Sequence, residues 1–371
     1  MSKTFAAVST LVGTIIGAGI LGIPYVIMKS GFLVGLINII VIATILLIIQ
    51  LYLGEIGLRT KTDHQLTGYA SLYLGEKAKK VMFYTFAFSI YSGLIAYLIG
   101  EGESLSYLFF GMPDFALYFG IGFWVVMSGL AYLGLTALKD GEEIGIMFIL
   151  AMILAIIILF WNKIDVSNLT YNNPALFYIP FGVILFAFMG LTSMPEVERI
   201  LQKEKGKTRR TILISYAIVF VIYTAFALVV VGSQGSNTPE VATLTLGKPF
   251  IILGIFTIFT SYLALNAALI NTWILDFKKK KSKAWLYSTV IPLIIYLVLN
   301  YFKAASFIKV VTIGGVISGG LMGTLILLMV KNAKLKGSRV PEYSMPYSKI
   351  LATAIIIILA FGTLLGIWFV F

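Results

Sequence analysis

The sequence contains no cysteine and only one histidine in 371 residues. The lack of cysteine excludes a disulfide framework and a thiolate metal site. His64 has no neighbouring residues that would complete a transition-metal site. The sequence also contains no phosphate-binding glycine loop and no pattern typical of a catalytic triad. We therefore expect neither an enzyme nor an ATP-driven pump, and we expect no bound cofactor.

Charged residues are also scarce, at 12% of the chain, whereas hydrophobic residues make up 59%. Soluble domains carry about twice that share of charge. The apolar residues form long runs, for example at 34–53, 144–161 and 212–231. A helix needs about 20 such residues to cross the hydrocarbon core. Because the runs lack the short alternation of a membrane barrel, the composition predicts an all-α integral membrane protein in a lipid bilayer.

Reading the apolar runs between charge clusters predicts eleven transmembrane helices. They lie near 5–28, 31–58, 81–110, 115–137, 143–161, 176–201, 210–232, 249–275, 284–302, 306–330 and 350–370.

The distribution of basic residues predicts the orientation of these spans. Lys and Arg collect in cytoplasmic loops, and 23 of the 28 fall on one side if the N-terminus is cytoplasmic, Lys139 among them. The C-terminus is then outside. We therefore interpret the net charge of +12 as a topology signal in the plasma membrane, and we expect no nucleic-acid partner.

Two of the predicted spans are interrupted by glycine. In each, a glycine precedes a proline by five positions, Gly19 before Pro24 and Gly190 before Pro195. Glycine lets the chain leave helical geometry, and proline suits the first turn of a resumed helix. These are the first and sixth spans, which enter the membrane from opposite sides. Inverted repeats place a substrate between two such broken helices, although glycine-rich packing faces are the alternative interpretation.

The same segments resemble a known family. Residues 13–24 resemble the first helix of the amino acid–polyamine–organocation superfamily. Residues 180–190, continuing through 195–197, are similar to the sixth helix of one branch of it. That branch contains the hydroxy and aromatic amino acid permeases and the sodium-coupled neutral amino acid transporters. Residues 260–263 look like its eighth helix.

The resemblance implies a leucine-transporter-type fold with a 5+5 inverted repeat. The first repeat would be 1–165 (spans 1–5) and the second 166–331 (spans 6–10), with a peripheral eleventh span in 332–371. It also implies that bare peptide groups hold the amino and carboxyl groups of an amino acid. The substrate-binding positions carried over are Thr14, Gly17, Ala18, Gly19, Phe186, Ala187, Phe188 and Gly190.

The resemblance further implies a sodium site between the first and eighth spans. Its ligands would be the carbonyls of Gly13, Ile16 and Thr257 and the hydroxyls of Thr260 and Ser261. The alternative is that these hydroxyls bond to their own helix. Many proton-linked relatives place a lysine of the fifth span near this position. The absence of lysine and arginine from 144–161 therefore favours sodium.

A competing signal for protons lies in the third span. An acid inside a membrane is costly, about 2.5–3.5 kcal/mol near the centre, and is a functional candidate for that reason. Tyr97 and Glu101 share one helical face, and we expect them, with Glu196 of the sixth span, to form a proton site or a gate. Glu103 lies on another face, and both acids could instead reach outer-leaflet water.

Together these observations predict a sodium-coupled symporter of a neutral or aromatic amino acid, monomeric and working by alternating access. The alternatives are a proton-coupled permease, an exchanger, or a non-transporting sensor on the same scaffold. A channel would need a continuous polar stripe through several spans, and the sequence has none.

Overall fold

The chain is described here from a computed structural model, in which residues 2–62, 64–133, 138–275 and 277–370 are described. Side chains are described throughout these ranges except at 138–146, 148 and 275. The last four residues of the fourth predicted span, 134–137, and the side chain of Lys139 lie outside the described residues. Within these ranges the structure is helical, and its β-type pairing is a single bridge between Gly31 and Asn172.

Fifteen α-helices follow one another along the described residues. They are α1 Lys3–Ile15, α2 Gly19–Ser30, α3 Phe32–Leu58, α4 Leu66–Leu74, α5 Glu76–Phe110, α6 Ala116–Leu133, α7 Leu138–Trp161, α8 Ser167–Thr170, α9 Ile179–Ala187, α10 Met194–Ile200, α11 Thr208–Gln234, α12 Lys248–Leu275, α13 Lys281–Tyr301, α14 Phe307–Lys336 and α15 Lys349–Val370. Short 3-10 helices occupy Pro174–Leu176, Leu191–Ser193, Lys205–Lys207, Gly235–Asn237 and Ala242–Thr245.

Nine helical segments in the described residues are long and apolar enough to cross a membrane. The bent pair α1 and α2 makes a tenth. In the fifth predicted span, Ile149–Trp161 is a shorter apolar helix and is not among these ten. A multi-pass, all-helical membrane protein is therefore confirmed. The number eleven and the inverted repeat stay predictions.

Helix α5 lies at the centre of the bundle. Of its most apolar 18 residues 83% are buried, against 22% for the same length of α6 and 28% for that of α15. It packs against α4, α6, α12, α13 and α14. Helix α15 packs on α14 and α9 and exposes large apolar side chains such as Ile357 and Trp368. In a bilayer these side chains face lipid, since lipid tails are as apolar as leucine.

Candidate substrate site between two broken helices

The first span is interrupted where the sequence predicts it. Helix α1 ends at Ile15, α2 begins at Gly19, and their axes differ by 52°. The Gly17 N–H turns back to the Ile15 carbonyl at 2.9 Å. The Gly13 carbonyl therefore loses the helical donor that it would otherwise have. The prediction for Pro24 is wrong: it lies inside α2, beyond the first turn, because the helix resumes at Gly19 itself.

The sixth span is interrupted in the same way. Helix α9 ends at Ala187, a 3-10 turn follows at Leu191–Ser193, and α10 begins at Met194. Pro195 stands in the first turn of α10, as predicted. The Gly190 carbonyl accepts two hydrogen bonds from Ser193, one from its N–H at 3.4 Å within the 3-10 turn and one from its hydroxyl at 3.0 Å.

The two interruptions touch. A Cβ atom added to Gly19 would lie 2.8 Å from the Cα of Ala187, and one added to Gly190 would lie 2.6 Å from Cγ1 of Ile15. Helix α1 packs against α10, and α2 packs against α9. Because the first half of each span meets the second half of the other, the two spans run antiparallel. They therefore approach the same level of the bundle from opposite directions.

Two phenylalanines of the predicted substrate set have different surroundings. Phe188 is fully buried, and its ring lies 4.9 Å from the ring of Tyr223, edge to face. Phe186 is half-buried and lies towards α5 and α14, where a Cβ added to Gly315 would be 3.0 Å from the Phe186 Cβ. Phe188 therefore packs against α11 in this conformation, whereas Phe186 lies between α9, α5 and α14. The Thr14 hydroxyl donates within its own helix.

Gly17 is the point where the first, third and eighth spans come together. A Cβ added there would lie 3.1 Å from the Tyr97 hydroxyl and 3.3 Å from Oγ of Ser261. The Tyr97 hydroxyl interacts with Ser261 and with the backbone of Ala18. Tyr97, predicted to be part of a gate or proton site, thus lies beside the predicted substrate and sodium positions.

Two predicted sodium ligands on α12 bond to each other: the Thr260 hydroxyl donates to the Thr257 carbonyl at 3.1 Å. The Thr257 hydroxyl, which is not in the predicted set, donates to the Leu253 carbonyl at 2.9 Å. This is the alternative foreseen from the sequence. Donation uses the hydrogen of each hydroxyl and leaves oxygen lone pairs available. Gly13 and Ile16 line a narrow crevice beside α7.

The two acids of the third span differ in burial. Glu101 is 1% exposed, and its Oε2 has no hydrogen-bond partner among the described residues, whereas Glu103 is partly exposed. Helical spacing puts Glu101 one turn from Tyr97 on the same face. Glu196 is half-buried in the first turn of α10.

A comparison with known protein families shows to which family the chain belongs. The model of the tryptophan/tyrosine permease family matches residues 1–369. The chain belongs to the tryptophan/tyrosine permease family. This confirms the superfamily expected from the sequence, and it makes the chain an amino acid transporter rather than an enzyme.

Curated relatives of this permease are amino acid transporters by name. Glutamine transporter 2 of Aliivibrio fischeri is 23% identical over 288 residues, which cover 72% of this chain and 74% of that protein. Amino acid transporter AVT3A of Arabidopsis thaliana is 23% identical over 267 residues, 66% of this chain. The match spans 60% of the length of the plant protein.

The permease also holds its two breaks with residues that sequence reasoning missed. The Tyr223 hydroxyl of α11 lies 2.8 Å from the Ile15 carbonyl and 3.1 Å from the Ala187 carbonyl, so it donates between the two broken spans. Tyr216 donates to the Phe188 carbonyl at 3.3 Å. Both tyrosines are buried. Both tyrosines stand within an apolar run of the sequence. This was a signal, because a tyrosine hydroxyl buried in such a run needs a hydrogen-bond acceptor.

Gln50 of α3 is the other missed contact. Its Nε2 lies 3.4 Å from the Gly190 carbonyl and 3.4 Å from Sδ of Met194. The side chain is fully buried. A polar amide inside the apolar run of the second predicted span was a visible signal, since such residues cost free energy in a membrane unless they have a partner.

Proposed function

We propose that this permease carries a neutral or aromatic amino acid together with sodium, by alternating access, and holds the substrate at the two breaks. The observation that carries the proposal is the contact between the breaks, Gly19 against Ala187. Irregular backbone in a membrane is tolerated only where it is buried or lines a cavity. Two such segments meeting between antiparallel spans are the usual setting of a transporter site.

The peptide groups at the breaks suit a zwitterion. Helix α2 begins at Gly19, and the N-terminus of a helix offers N–H groups and a partial positive charge to a carboxylate. Helix α9 ends at Ala187, and the C-terminal carbonyls of a helix suit an ammonium group. The carbonyls of Ala187 and Phe188 already accept from tyrosines, but each carbonyl oxygen has a second lone pair.

The placement of Ser261 beside Gly17 supports sodium as the coupling ion. It brings the eighth span to the first break, where the Gly13 carbonyl is released from helical bonding. Together with Ile16, Thr257 and Thr260 this gives five neutral oxygen ligands. Such a set contains no carboxylate and suits a monovalent cation that must be released in each cycle, since hard cations prefer oxygen ligands.

Proton coupling through Glu101 is a second candidate, and one observation favours it. The Glu101 Oε2 is buried without a partner among the described residues. A protonated carboxyl is cheaper to bury than a carboxylate. Its position one turn from Tyr97 would link a proton at Glu101 to the break at Gly17.

The proposal includes a location. We place the permease in the plasma membrane as a monomer, with a cytoplasmic N-terminus and an outward C-terminus. The excess of Lys and Arg in alternate loops supports this orientation.

Transport into proteoliposomes tests the function and the ion. The purified protein would be offered labelled tryptophan, tyrosine and glutamine, with a sodium gradient at equal pH and, separately, a pH gradient without sodium. We expect the sodium gradient to stimulate uptake. We expect the double variant Thr260→Val, Ser261→Ala to lose that stimulation. Thr44→Val is the matched control, because its hydroxyl is also bonded within its helix, at Ile40, but is exposed on α3.

The other outcomes separate the alternatives. Stimulation by the pH gradient alone, lost in Glu101→Gln, would replace sodium by protons. Uptake that requires amino acid inside the vesicle and ignores both gradients would indicate an exchanger. Binding of a labelled amino acid without any uptake would indicate a sensor, and the transport proposal would then be abandoned.

A further inference from the structure

The segment between α14 and α15 lies across one end of the bundle. Along 341–348 its residues alternate between half-buried and exposed, the period-two pattern of an extended chain. Two prolines within it restrict the backbone to extended or turn conformations. We name residues 337–348 the strap. Within 341–348 the half-buried side chains are Pro341, Tyr343, Met345 and Tyr347.

The strap is bonded to α3 at three positions between Leu51 and Glu55. The Tyr343 hydroxyl donates to the Leu51 carbonyl at 2.6 Å. The Tyr52 hydroxyl donates to the Pro346 carbonyl at 2.9 Å, and the Met345 N–H donates to Oε2 of Glu55 at 2.8 Å. These bonds tie a loop to a transmembrane helix that is far away in the sequence.

Glu55 anchors this attachment. Its carboxylate is fully buried and accepts from Nζ of Lys334 at 2.5 Å and from Nε of Arg59 at 2.8 Å. Ser344 of the strap donates to the same Oε1 at 2.8 Å. Lys334 also donates to the Met345 carbonyl at 2.7 Å. Glu55 and Lys334 therefore form an ion pair with each other, and each is also hydrogen-bonded to the strap.

Tyr343 fills a position that connects the strap to the substrate site. A Cβ added to Gly54 of α3 would contact the Tyr343 hydroxyl, and would lie 3.0 Å from Cδ1 of Ile212 and 3.2 Å from Cε of Met194. Met194 is the first residue of α10, and its sulfur contacts Gln50, which also reaches the Gly190 carbonyl. A continuous line of contacts thus runs from the strap to the break in the sixth span.

The Tyr343 hydroxyl is suited to a lasting contact. Burial, together with the nearby carboxylates of Glu55 and Glu198, raises the pKa of Tyr343 well above its usual value. The hydroxyl therefore stays protonated and keeps donating to the Leu51 carbonyl throughout the physiological pH range.

We infer that the strap is a latch: it holds this end of the bundle closed, and the substrate site opens to this side only when Tyr343 withdraws from Gly54. The latch rests on the proposed function, because alternating access requires each end to open in turn. Its attachment to α3, and the place of Tyr343 at Gly54 beside Met194 of α10 and Ile212 of α11, make it a barrier on the path from this side to Gly190.

Cysteine labelling tests the latch without substrate or gradient. The chain has no cysteine, so Ile212→Cys introduces a single thiol at a position that is fully buried beside Tyr343. Its rate of reaction with a maleimide would be measured in detergent micelles. We expect Tyr343→Ala to raise the rate at least about fivefold, and Tyr343→Phe, which loses only the hydrogen bond, to raise it about threefold.

Glu342→Ala is the matched control, because Glu342 is an exposed neighbour that pairs with Arg339 within the strap. It should leave the labelling rate unchanged. Equal rates in Tyr343→Ala and the parent would overturn the latch, and so would an equal rise in the control. If gel filtration shows that Tyr343→Ala is misfolded, Tyr343→Phe decides, and a rate equal to the parent overturns the inference.

Cross-linking tests whether the strap must move. The rings of Tyr52 and Tyr347 lie 6.3 Å apart, so cysteines at these two positions can be joined by a short reducible cross-linker. We expect the joined protein to bind labelled amino acid but to lose uptake at least about tenfold, with recovery on reduction. Unchanged uptake in the joined protein would overturn the latch. Absence of uptake before cross-linking would contradict the proposed function instead, and the labelling rates would then decide the latch.

Discussion

Polar groups are stabilised differently in two regions of this permease. We call the region of the two helix breaks the centre, and the end of the bundle that the strap covers the strap end. At the centre, the backbone carbonyls at the breaks accept from neutral tyrosine, serine and glutamine side chains. At the strap end, one fully buried carboxylate, Glu55, is bonded to two cations and two neutral donors. The centre thus uses neutral hydrogen bonds to backbone carbonyls, whereas the strap end uses a cluster of ion pairs and hydrogen bonds around one carboxylate.

The magnitudes explain why this difference suits transport. A neutral hydrogen bond contributes about 1 kcal/mol net, so a carbonyl at a break can exchange a tyrosine for a substrate ammonium at little cost. Removing one partner of a buried ion pair costs about 3–5 kcal/mol. The centre is therefore built to change partners, and the Glu55 cluster is built to keep them.

The largest expected effect is that of Glu55→Ala. It would leave Lys334 and Arg59, whose side chains are only 19% and 16% exposed, without their shared carboxylate. We expect the free energy of unfolding in micelles to fall by about 3–5 kcal/mol, measured by denaturant titration. Glu342→Ala breaks the more exposed pair with Arg339 and should cost less than about 1 kcal/mol. Equal losses would mean that the Glu55 cluster is no stronger than a surface pair.

Next in size is Gly19→Ala at the centre. The new Cβ would meet the backbone of Ala187 at 2.8 Å, and backbone cannot rotate away, so the two breaks must separate. Misplacement by about 1 Å costs about a hundredfold in rate at a site that depends on geometry, and we expect that loss in proteoliposome uptake. Gly122→Ala on α6 is the control, since a Cβ there meets nothing within 4 Å. Full uptake by Gly19→Ala would show that the contact between the breaks has no role.

Tyr223→Phe should have a smaller effect. It keeps the ring against Phe188 but removes the donor shared by the Ile15 and Ala187 carbonyls. We expect the KM for uptake to rise about tenfold, the equivalent of one to two hydrogen bonds. Tyr216→Phe loses one longer bond, 3.3 Å to Phe188, and should raise KM about threefold. A change in maximal rate at constant KM would instead assign Tyr223 to the conformational step.

The sequence predicted the centre better than the strap end, for a physical reason. The breaks depend on local chemistry: Gly19, Gly190 and Pro195 change backbone preference wherever they stand, so both interruptions can be located from the order of the residues alone. The prediction failed at Pro24, because the sequence does not specify at which glycine the helix resumes. The opposite directions of the first and sixth spans were also predicted, and the inverted-repeat pattern led us to expect that their interruptions lie close together.

Partners that are distant in the sequence could not be found in this way. Tyr223 bonds to Ile15, 208 positions away, and Lys334 bonds to Glu55, 279 positions away. The alternation along 341–347 was visible, but a single extended segment in a helical protein suggests no partner. Glu55 could have been suspected, since it lies near the end of an apolar run and a buried acid needs a cation.

The smallest expected effect is that of Gln50→Leu. Gln50 lies at the boundary between the centre and the strap end, and this substitution tests whether its hydrogen bonds stabilise the protein. Both bonds of its Nε2 are weak, since the one to the Gly190 carbonyl is long, 3.4 Å, and the one to Met194 has a thioether sulfur as acceptor; its Oε1 is buried without a partner among the described residues. In Gln50→Leu the loss of two weak bonds is offset by removal of an unsatisfied polar atom, so we expect the free energy of unfolding to change by less than about 1 kcal/mol. Denaturant titration in micelles checks this. A loss as large as that of Glu55→Ala would mean that Gln50 belongs to the rigid strap end, and that the Gly190 carbonyl is not a group that readily changes partners.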